Sequence, residues 1–117
     1  MALRFKNNYE REIWAMVERY QPNCSSSSDW FKEGWWKIAP QQSIVVYGGD
    51  ARAVNPIWYC YAYSEDGVEW RDKYQESVPP RIFEWCSNVT DSTCRTIHML
   101  EMTVTHPNYT FNFNPPA

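Results

Sequence analysis

The chain has 117 residues, carries a formal net charge of −3 and is 17% aromatic, with seven Trp, eight Tyr and five Phe. This length accommodates one domain with one two-layer core and leaves no room for two. The eleven Lys and Arg form no basic run, which disfavours a nucleic-acid partner. No apolar run approaches the ~20 residues of a membrane-spanning helix, so no transmembrane segment is expected.

Strand patterns dominate the N-terminal part of the chain. Apolar and polar residues alternate in Leu3–Lys6, which predicts a half-buried strand. A second strand is predicted over Ile13–Tyr20, with a short helix over Tyr9–Tyr20 as the alternative. Residues 21–29 are rich in Ser, Asn and Pro, which predicts a loop.

The aromatic residues concentrate in the middle of the chain. Trp30–Ile38 is predicted as a strand, and Gly34 inside it indicates a β-bulge or the close approach of another backbone. Ser43–Tyr47 is a short β-branched strand, followed by a long loop over residues 48–56. Ile57–Tyr63 has apolar or aromatic residues on both faces, which places this strand in the middle of a sheet.

The C-terminal part alternates turns and strands. Residues 65–70 predict a hairpin turn and the start of a return strand. Residues 71–80 are polar and end in two prolines, which disfavours regular pairing there. Strands are predicted over Arg81–Trp85 and Thr96–Thr105.

These elements predict an all-β protein, a single antiparallel β-sandwich or barrel-like domain of seven to eight short strands. The sandwich is expected over residues 1–106. Residues 107–117 are expected to form an extended C-terminal tail, packed on the domain or on a neighbour.

Four cysteines stand at positions without the Cys-x-x-Cys spacing of a zinc ribbon or a redox motif. The preferred pairing is Cys86–Cys94 across a polar loop, which leaves Cys24 with Cys60. In the alternative all four are reduced and Cys60 is a small core residue. An even cysteine count favours an extracellular or cell-surface location, although the sequence starts without the apolar segment of a signal peptide.

The segment Phe31-Lys-Glu-Gly-Trp-Trp-Lys-Ile-Ala-Pro40 and its context over residues 3–70 resemble a bacterial family of small β domains of unknown function. The shared pattern includes the Gly34-Trp35-Trp36 element, a Tyr-rich strand and an Asp-Gly turn before Trp70. Gln41 stands where the family usually has Gly. The resemblance implies a small β domain and no particular activity.

Catalytic and metal-binding patterns are missing. His98 and His106 stand eight residues apart with no Cys beside either, so neither a metal nor a cofactor is expected. A glycosidase-like pair, Glu33 with Asp66 or Glu69 beside Trp rings, is the remaining catalytic alternative. Two suitable carboxylates among fourteen acidic residues are an expected coincidence, so an enzyme is not predicted.

The Trp35-Trp36 pair is the best candidate for function. Neighbouring strand residues point to opposite faces, so both rings cannot enter one core face. An exposed aromatic patch would then serve as a binding surface; the alternative is that loops and the tail cover the extra rings. The candidate binding residues are Trp35, Trp36, Trp58, Tyr61, Trp70, Phe111 and Phe113.

The function expected from these features is a non-enzymatic structural or protein-interaction module. A self-assembling subunit of an extracellular or surface assembly fits best, with another copy or another protein as partner. The alternative is a toxin-like module that binds a glycan or a lipid through exposed Trp and Tyr.

Overall fold

The computed structural model describes residues 1–117 as ten strands and one single-turn helix. The all-β prediction is confirmed, with more strands than the seven to eight expected. The strands are β1 Ala2–Asn7, β2 Ile13–Ser25, β3 Ser28–Ile38, β4 Ser43–Tyr47, β5 Ile57–Ser64, β6 Glu69–Trp70, β7 Tyr74–Val78, β8 Phe83–Cys86, β9 Arg95–Thr103 and β10 Asn108–Phe113; helix α1 is Ala51–Val54.

A seven-stranded antiparallel sheet, here the main sheet, organises the molecule. Its strand order is β7-β9-β5-β2-β3-β8, and β6 pairs with the end of β5. β5 lies between β2 and β9, as its two apolar faces predict. The strand prediction for Ile13–Tyr20 is also confirmed over its helical alternative, because this segment pairs on both sides.

A second, three-stranded sheet has the order β10-β1-β4. β1 pairs antiparallel with β4 and parallel with β10. The segment predicted as an extended tail thus contributes a strand, Asn108–Phe113, that pairs along the whole of β1. Aromatic residues at alternate positions explain why this strand packs on the domain. The Phe113 ring is buried, and its centroid lies 5.1 Å from that of the Phe5 ring.

The small sheet covers one face of the main sheet and encloses the larger of two cores, here the outer core. Leu3, Phe5 and Phe113 on the small sheet meet apolar side chains of β2, β5 and β9. Trp58 is fully buried there, and its indole N–H donates to the carbonyls of Ala51 and Asn55 at 3.0 and 2.7 Å. The residues that the main sheet contributes to the outer core are Ile13, Ala15, Val17, Ile38, Trp58, Cys60, Ala62 and Met102.

The main sheet curls so that its two edge strands approach each other. β7 and β8 lie at opposite edges of the sheet, yet only residues 79–82 separate them in sequence. The Nζ of Lys32 on β3 donates to the carbonyl of Ser77 on β7 at 2.6 Å, across the inside of the curl. The concave face therefore encloses a second core, here the inner core, made of Met16, Tyr61, Val78, Phe83, Ile97 and Met99.

The glycine in β3 marks both features that the sequence predicts for it. Ala15 pairs with Trp36 and Met16 with Gly34, so Trp35 is the extra residue of a bulge. A Cβ added at Gly34 would lie 2.8 Å from the Cβ of Met16, closer than side chains tolerate. Glycine thus permits the close approach of β2 and β3 where the sheet bends.

Three segments differ from the predicted elements. The loop predicted over residues 21–29 is the end of a long hairpin, because β2 continues to Ser25 and β3 begins at Ser28. The polar segment before the two prolines contains β7, an edge strand whose alternate residues, such as Val78, face inward. The long loop over residues 48–56 contains α1, which Asp50 caps by accepting from the Ala53 N–H.

The predicted disulfide pairings are wrong. Cys24 bonds to Cys86, while Cys60 and Cys94 are free. The long hairpin explains the correction, because it carries Cys24 past the body of the sheet to the end of β8, which pairs with β3. Cys60 faces the outer core and is fully buried; the all-reduced alternative is thus correct for Cys60 and Cys94 and wrong for Cys24 and Cys86.

Candidate ligand-binding cleft

The inner core opens at one end of the curled sheet into a cleft of about 280 Å³, here the end cleft. This end lies beside the Cys24–Cys86 disulfide, since Ser87 forms part of the cleft wall. Strands β2, β3, β5, β7 and β9 all contribute to it. Its lining residues are Glu18, Trp30, Tyr59, Tyr74, Gln75, Ser87 and Met99.

Three aromatic rings form the walls of the end cleft. The ring centroids of Trp30 and Tyr59 are 5.6 Å apart, and those of Tyr59 and Tyr74 are 4.9 Å apart. The planes are inclined by 60° and 52°, so the rings contact one another in tilted pairs rather than in a parallel stack, and all three line the cleft. All three are only half-buried, unlike the rings deeper in the inner core.

A carboxyl group lies at the buried end of this cleft. Glu18 retains 7% of its exposure, and its Oε1 has no hydrogen-bond partner. Its cross-strand neighbours are Lys32 on β3 and Tyr59 on β5. Burial, reinforced by the nearby Glu76 carboxyl, raises the pKa of Glu18 to about 10, so the group is protonated at neutral pH.

The charged groups beside Glu18 are themselves buried. The Nζ of Lys32, which is fully buried, donates to Glu76 Oε1 at 3.2 Å as well as to the Ser77 carbonyl. The Trp85 ring lies 5.8 Å from the same ammonium group. The interior therefore holds one ammonium group for two carboxyl groups, and its charges balance because Lys32 pairs with Glu76 while Glu18 is protonated.

The rim of the end cleft is held by the long hairpin and the residue after β8. The Ser87 N–H donates to the Trp30 carbonyl at 2.8 Å, and the Ser28 and Ser87 hydroxyls share a hydrogen bond of 2.5 Å. Ser87 directly follows the disulfide-bonded Cys86. These bonds fix the position of the Trp30 ring relative to the cleft.

The Trp35 and Trp36 rings lie on opposite faces of the main sheet, as strand alternation predicts. Trp35 packs against the inner core, where its indole N–H donates to the Pro79 carbonyl at 2.8 Å. Trp36 packs against the outer core. Both are half-buried, and no Trp, Tyr or Phe side chain in residues 1–117 is exposed. This exposure pattern matches the interpretation in which the chain covers its own extra rings.

The structure corrects three of the predicted binding residues. Trp58, Tyr61 and Phe113 are at most 1% exposed, because each fills one of the two cores, so none can reach a partner. Trp70 and Phe111 are half-buried at the margin of the outer core. The indole N–H of Trp70 donates to the Asn114 carbonyl at 2.6 Å, which ties the C-terminal residues to the domain.

Sequence reasoning missed the residues that the end cleft brings together. Trp30, Tyr59 and Tyr74 come from three strands that are distant in sequence. One signal for Glu18 does exist in the sequence. Alternation places it on the same face of β2 as the buried Met16, and a carboxyl group on an apolar face is unusual enough to indicate a site.

The carboxylates of the glycosidase alternative interact with other side chains and not with each other. Glu33 forms a 2.6 Å ion pair with Arg19, and Glu69 accepts a 2.6 Å hydrogen bond from the Tyr61 hydroxyl. Asp66 accepts from the Tyr9 hydroxyl, which holds the pKa of Asp66 below its usual value. Neither Asp66 nor Glu69 lines the pocket that contains Glu33, so the proposed pairs are not formed.

No group of three or more His, Cys, Asp and Glu side chains is arranged to hold a metal ion. No helix of the structure has the length and apolar character needed to cross a membrane. Comparison of the chain with protein-family models, curated proteins and solved structures found no match. The resemblance of residues 3–70 to a family of small β domains therefore stays a prediction.

Proposed function

We propose that the protein is a non-enzymatic binding module that receives a small ligand, or one chemical group of a larger partner, in the end cleft. The observation that carries the proposal is the Glu18 carboxyl, buried with an unpartnered oxygen in a cleft walled by aromatic rings. Leaving a buried polar atom unpaired costs about 1–3 kcal/mol. Such a cost is typical of sites where a ligand completes the missing contact.

The distribution of aromatic rings supports the same location. Three of the rings first considered for binding are buried, and the other four are half-buried against the two cores. In the end cleft, three half-buried rings from different strands line one space beside the buried Glu18 carboxyl and polar groups of Gln75 and Ser87. Apolar walls with a few polar groups are the usual composition of a ligand pocket.

The test is a binding screen followed by nuclear magnetic resonance of the ¹⁵N-labelled protein. The probes are small amines, amino acids, monosaccharides and nucleosides, each added singly. We expect at least one class to shift the Trp30 indole resonance and the backbone amides of Tyr59 and Tyr74. The Trp14 indole, which stacks on Tyr63 away from the cleft, should not move.

A matched pair of variants makes this test specific. Trp30→Ala should abolish the shifts. Trp14→Ala also removes a half-buried Trp ring but should retain the shifts, because Trp14 lies outside the cleft. The proposal fails if every probe class leaves the cleft resonances unchanged, or if binding survives Trp30→Ala.

A second candidate function, self-association, is favoured by the edges of the small sheet. β4 and β10 are its two edge strands, and neither contains a charged residue or a proline. Natural edge strands usually carry such residues to prevent pairing with another chain. Val45 on β4 is also 49% exposed. We propose a second copy of the chain as the partner of this edge.

Sedimentation velocity over a wide concentration range tests the second candidate. A dimer that Val45→Lys converts to a monomer is the expected result, because a charge on the edge opposes strand addition. Val89→Lys, a change of another exposed valine outside the strands, is the control and should leave the dimer intact. A wild-type chain that stays monomeric throughout would rule out this candidate.

A further inference from the structure

We infer that the group bound in the end cleft is an alkylammonium cation, held by the faces of Trp30, Tyr59 and Tyr74 and balanced by the Glu18 carboxylate. This inference rests on the proposed function and names its ligand class. Two independent features support it: the arrangement of the rings and the composition of the buried charges.

Three adjacent rings offer an organic cation an aromatic surface. A cation within about 6 Å of a ring centroid is attracted by the negative face of the π system, most strongly by Trp. Trp30, Tyr59 and Tyr74 contact one another in tilted pairs and all line the end cleft. Such a surface also contacts the alkyl groups of the cation, whereas a site made only of hydrogen-bonding groups does not.

At neutral pH the buried charges balance only because Glu18 is protonated. Facing Glu18 are the ammonium group of Lys32 on β3, the Glu76 carboxyl on β7 and the Tyr59 hydroxyl on β5, and Tyr74 on β7 lines the same cleft. Lys32 is already engaged by Glu76 and the Ser77 carbonyl, which leaves Glu18 without a positive partner. A bound ammonium group would supply that charge and allow Glu18 to ionise.

The size of the cleft limits what enters it. Pockets that enclose a whole drug-sized ligand measure roughly 300–1,000 Å³. The end cleft, at about 280 Å³, lies just below that range. It therefore suits the head group of a ligand, with the remainder of the molecule outside.

A monosaccharide is the competing ligand class, because sugars also stack on Trp and Tyr. A neutral sugar, however, brings no charge to pair with Glu18. The dependence of binding on ligand charge therefore separates the two classes.

Isothermal titration calorimetry with choline provides the test. The matched control ligand is 3,3-dimethyl-1-butanol, which has the same shape but carbon in place of the charged nitrogen; glucose represents the sugars. We expect choline to bind at least 10-fold more tightly than the neutral analogue, with glucose weaker still. Equal binding of choline and its neutral analogue would overturn the inference.

Variants of two glutamates test the role of Glu18. Glu18→Gln keeps the shape and hydrogen-bonding capacity of the protonated side chain, so the fold should be retained while choline binding falls at least 10-fold. Glu101→Gln removes the same charge from an exposed position on β9, opposite Tyr59 in the register, and should leave binding unchanged. Unchanged choline binding in Glu18→Gln would contradict the inference.

Proton release gives a readout that a purely structural role would not produce. Because Glu18 ionises when the cation binds, wild type should release up to about one proton per choline at pH 7. Titration of choline into weakly buffered protein, followed with a pH electrode, measures this number without adding a competing ammonium ion. Glu18→Gln should release none; equal release from both proteins would count against Glu18 as the ionising group.

The outcomes also separate this inference from the proposed function. If amines fail but a sugar or nucleoside shifts the cleft resonances, the ligand class is wrong and the binding function stands. If no probe of any class shifts them, both are wrong.

Discussion

At the scale of single residues, the buried ionisable groups of the inner core set the chemistry of the protein. Glu18, Lys32 and Glu76 come from three strands and lie together on the concave face of the main sheet. Lys32 is held by two acceptors, whereas Glu18 stays neutral because burial raises its pKa. Apolar residues of similar volume would fill this space at least as stably. We therefore interpret the trio as a functional feature.

The raised pKa of Glu18 predicts a specific dependence of stability on pH. The unfolded chain releases this proton near pH 4.5, while the folded protein holds it to about pH 10. Within that window the unfolded state binds fewer protons, so the free energy of unfolding falls as the pH rises, by up to roughly 1 kcal/mol per pH unit. In Glu18→Gln this contribution is absent, and urea denaturation from pH 5 to 9 should show a flatter profile. Parallel profiles for the two proteins would contradict the assignment.

Removing the buried ammonium should be much more damaging than removing an exposed one. Lys32→Met leaves Glu76 buried without its partner, and we expect a loss of about 3 kcal/mol in the free energy of unfolding. Lys37→Met, on the same strand, breaks a pair with Glu12 whose side chains are 59% and 47% exposed, and should change little. Chemical denaturation of both variants measures the difference; similar losses would show that Lys32 is not a buried ion-pair partner.

At the scale of elements, the long β2–β3 hairpin determines where the end cleft forms. The hairpin carries Trp30 and Cys24 beyond the body of the main sheet, and the disulfide to Cys86 ties it to the end of β8. The hydrogen bond from Ser87 to the Trp30 carbonyl adds a second connection. The cleft wall is thus fixed by a bond between two cysteines that lie 62 residues apart in the sequence.

The Cys24–Cys86 bond has consequences for both stability and binding. It closes a loop with a sequence separation of 62 residues, and removing such a bond costs about 2–4 kcal/mol. A Cys24→Ala/Cys86→Ala variant should lose that stability and bind cleft ligands more weakly, whereas Cys94→Ala should do neither. Denaturation and ligand titration of the two variants measure these effects.

Peptide mapping under non-reducing conditions checks the pairing itself. We expect one linked peptide pair containing Cys24 and Cys86, and alkylation of Cys94 in the native protein. Cys60 should resist alkylation, because burial keeps it from the reagent and raises the pKa of its thiol. A Cys86–Cys94 link would contradict the structure.

The local sequence pattern was sufficient to predict most strands. It was insufficient where the conformation depends on pairing with a distant segment. Alternation and β-branched residues identified β1, β5 and β9, and the glycine in β3 indicated the bulge. The hairpin end and β7 were missed because their polar composition is that of a loop, while their conformation is set by pairing with β3 and β9. A segment with the composition of a turn can therefore still form a strand when a neighbouring strand is available to pair with it.

At the scale of the whole molecule, the aromatic load is explained by a sheet that is covered on both faces. The small sheet covers the outer face, and the curl of the main sheet encloses the inner one. The sequence therefore predicted the fold class and the two-sided distribution of Trp35 and Trp36. The curled sheet agrees with the barrel-like alternative, but nothing in the sequence indicated that β7 and β3 meet across the interior, so the end cleft was missed.

We propose the end cleft, rather than an exposed Trp35–Trp36 surface, as the place where this protein binds a ligand. Hydroxyl-radical footprinting read by mass spectrometry, with and without saturating choline, tests it most directly. We expect labelling of Trp30 and Tyr74 that choline suppresses, and little labelling of Trp58 in either state. Labelling of Trp58 at the rate of Trp30, or choline protection at Trp35 and Trp36 instead of Trp30, would contradict it.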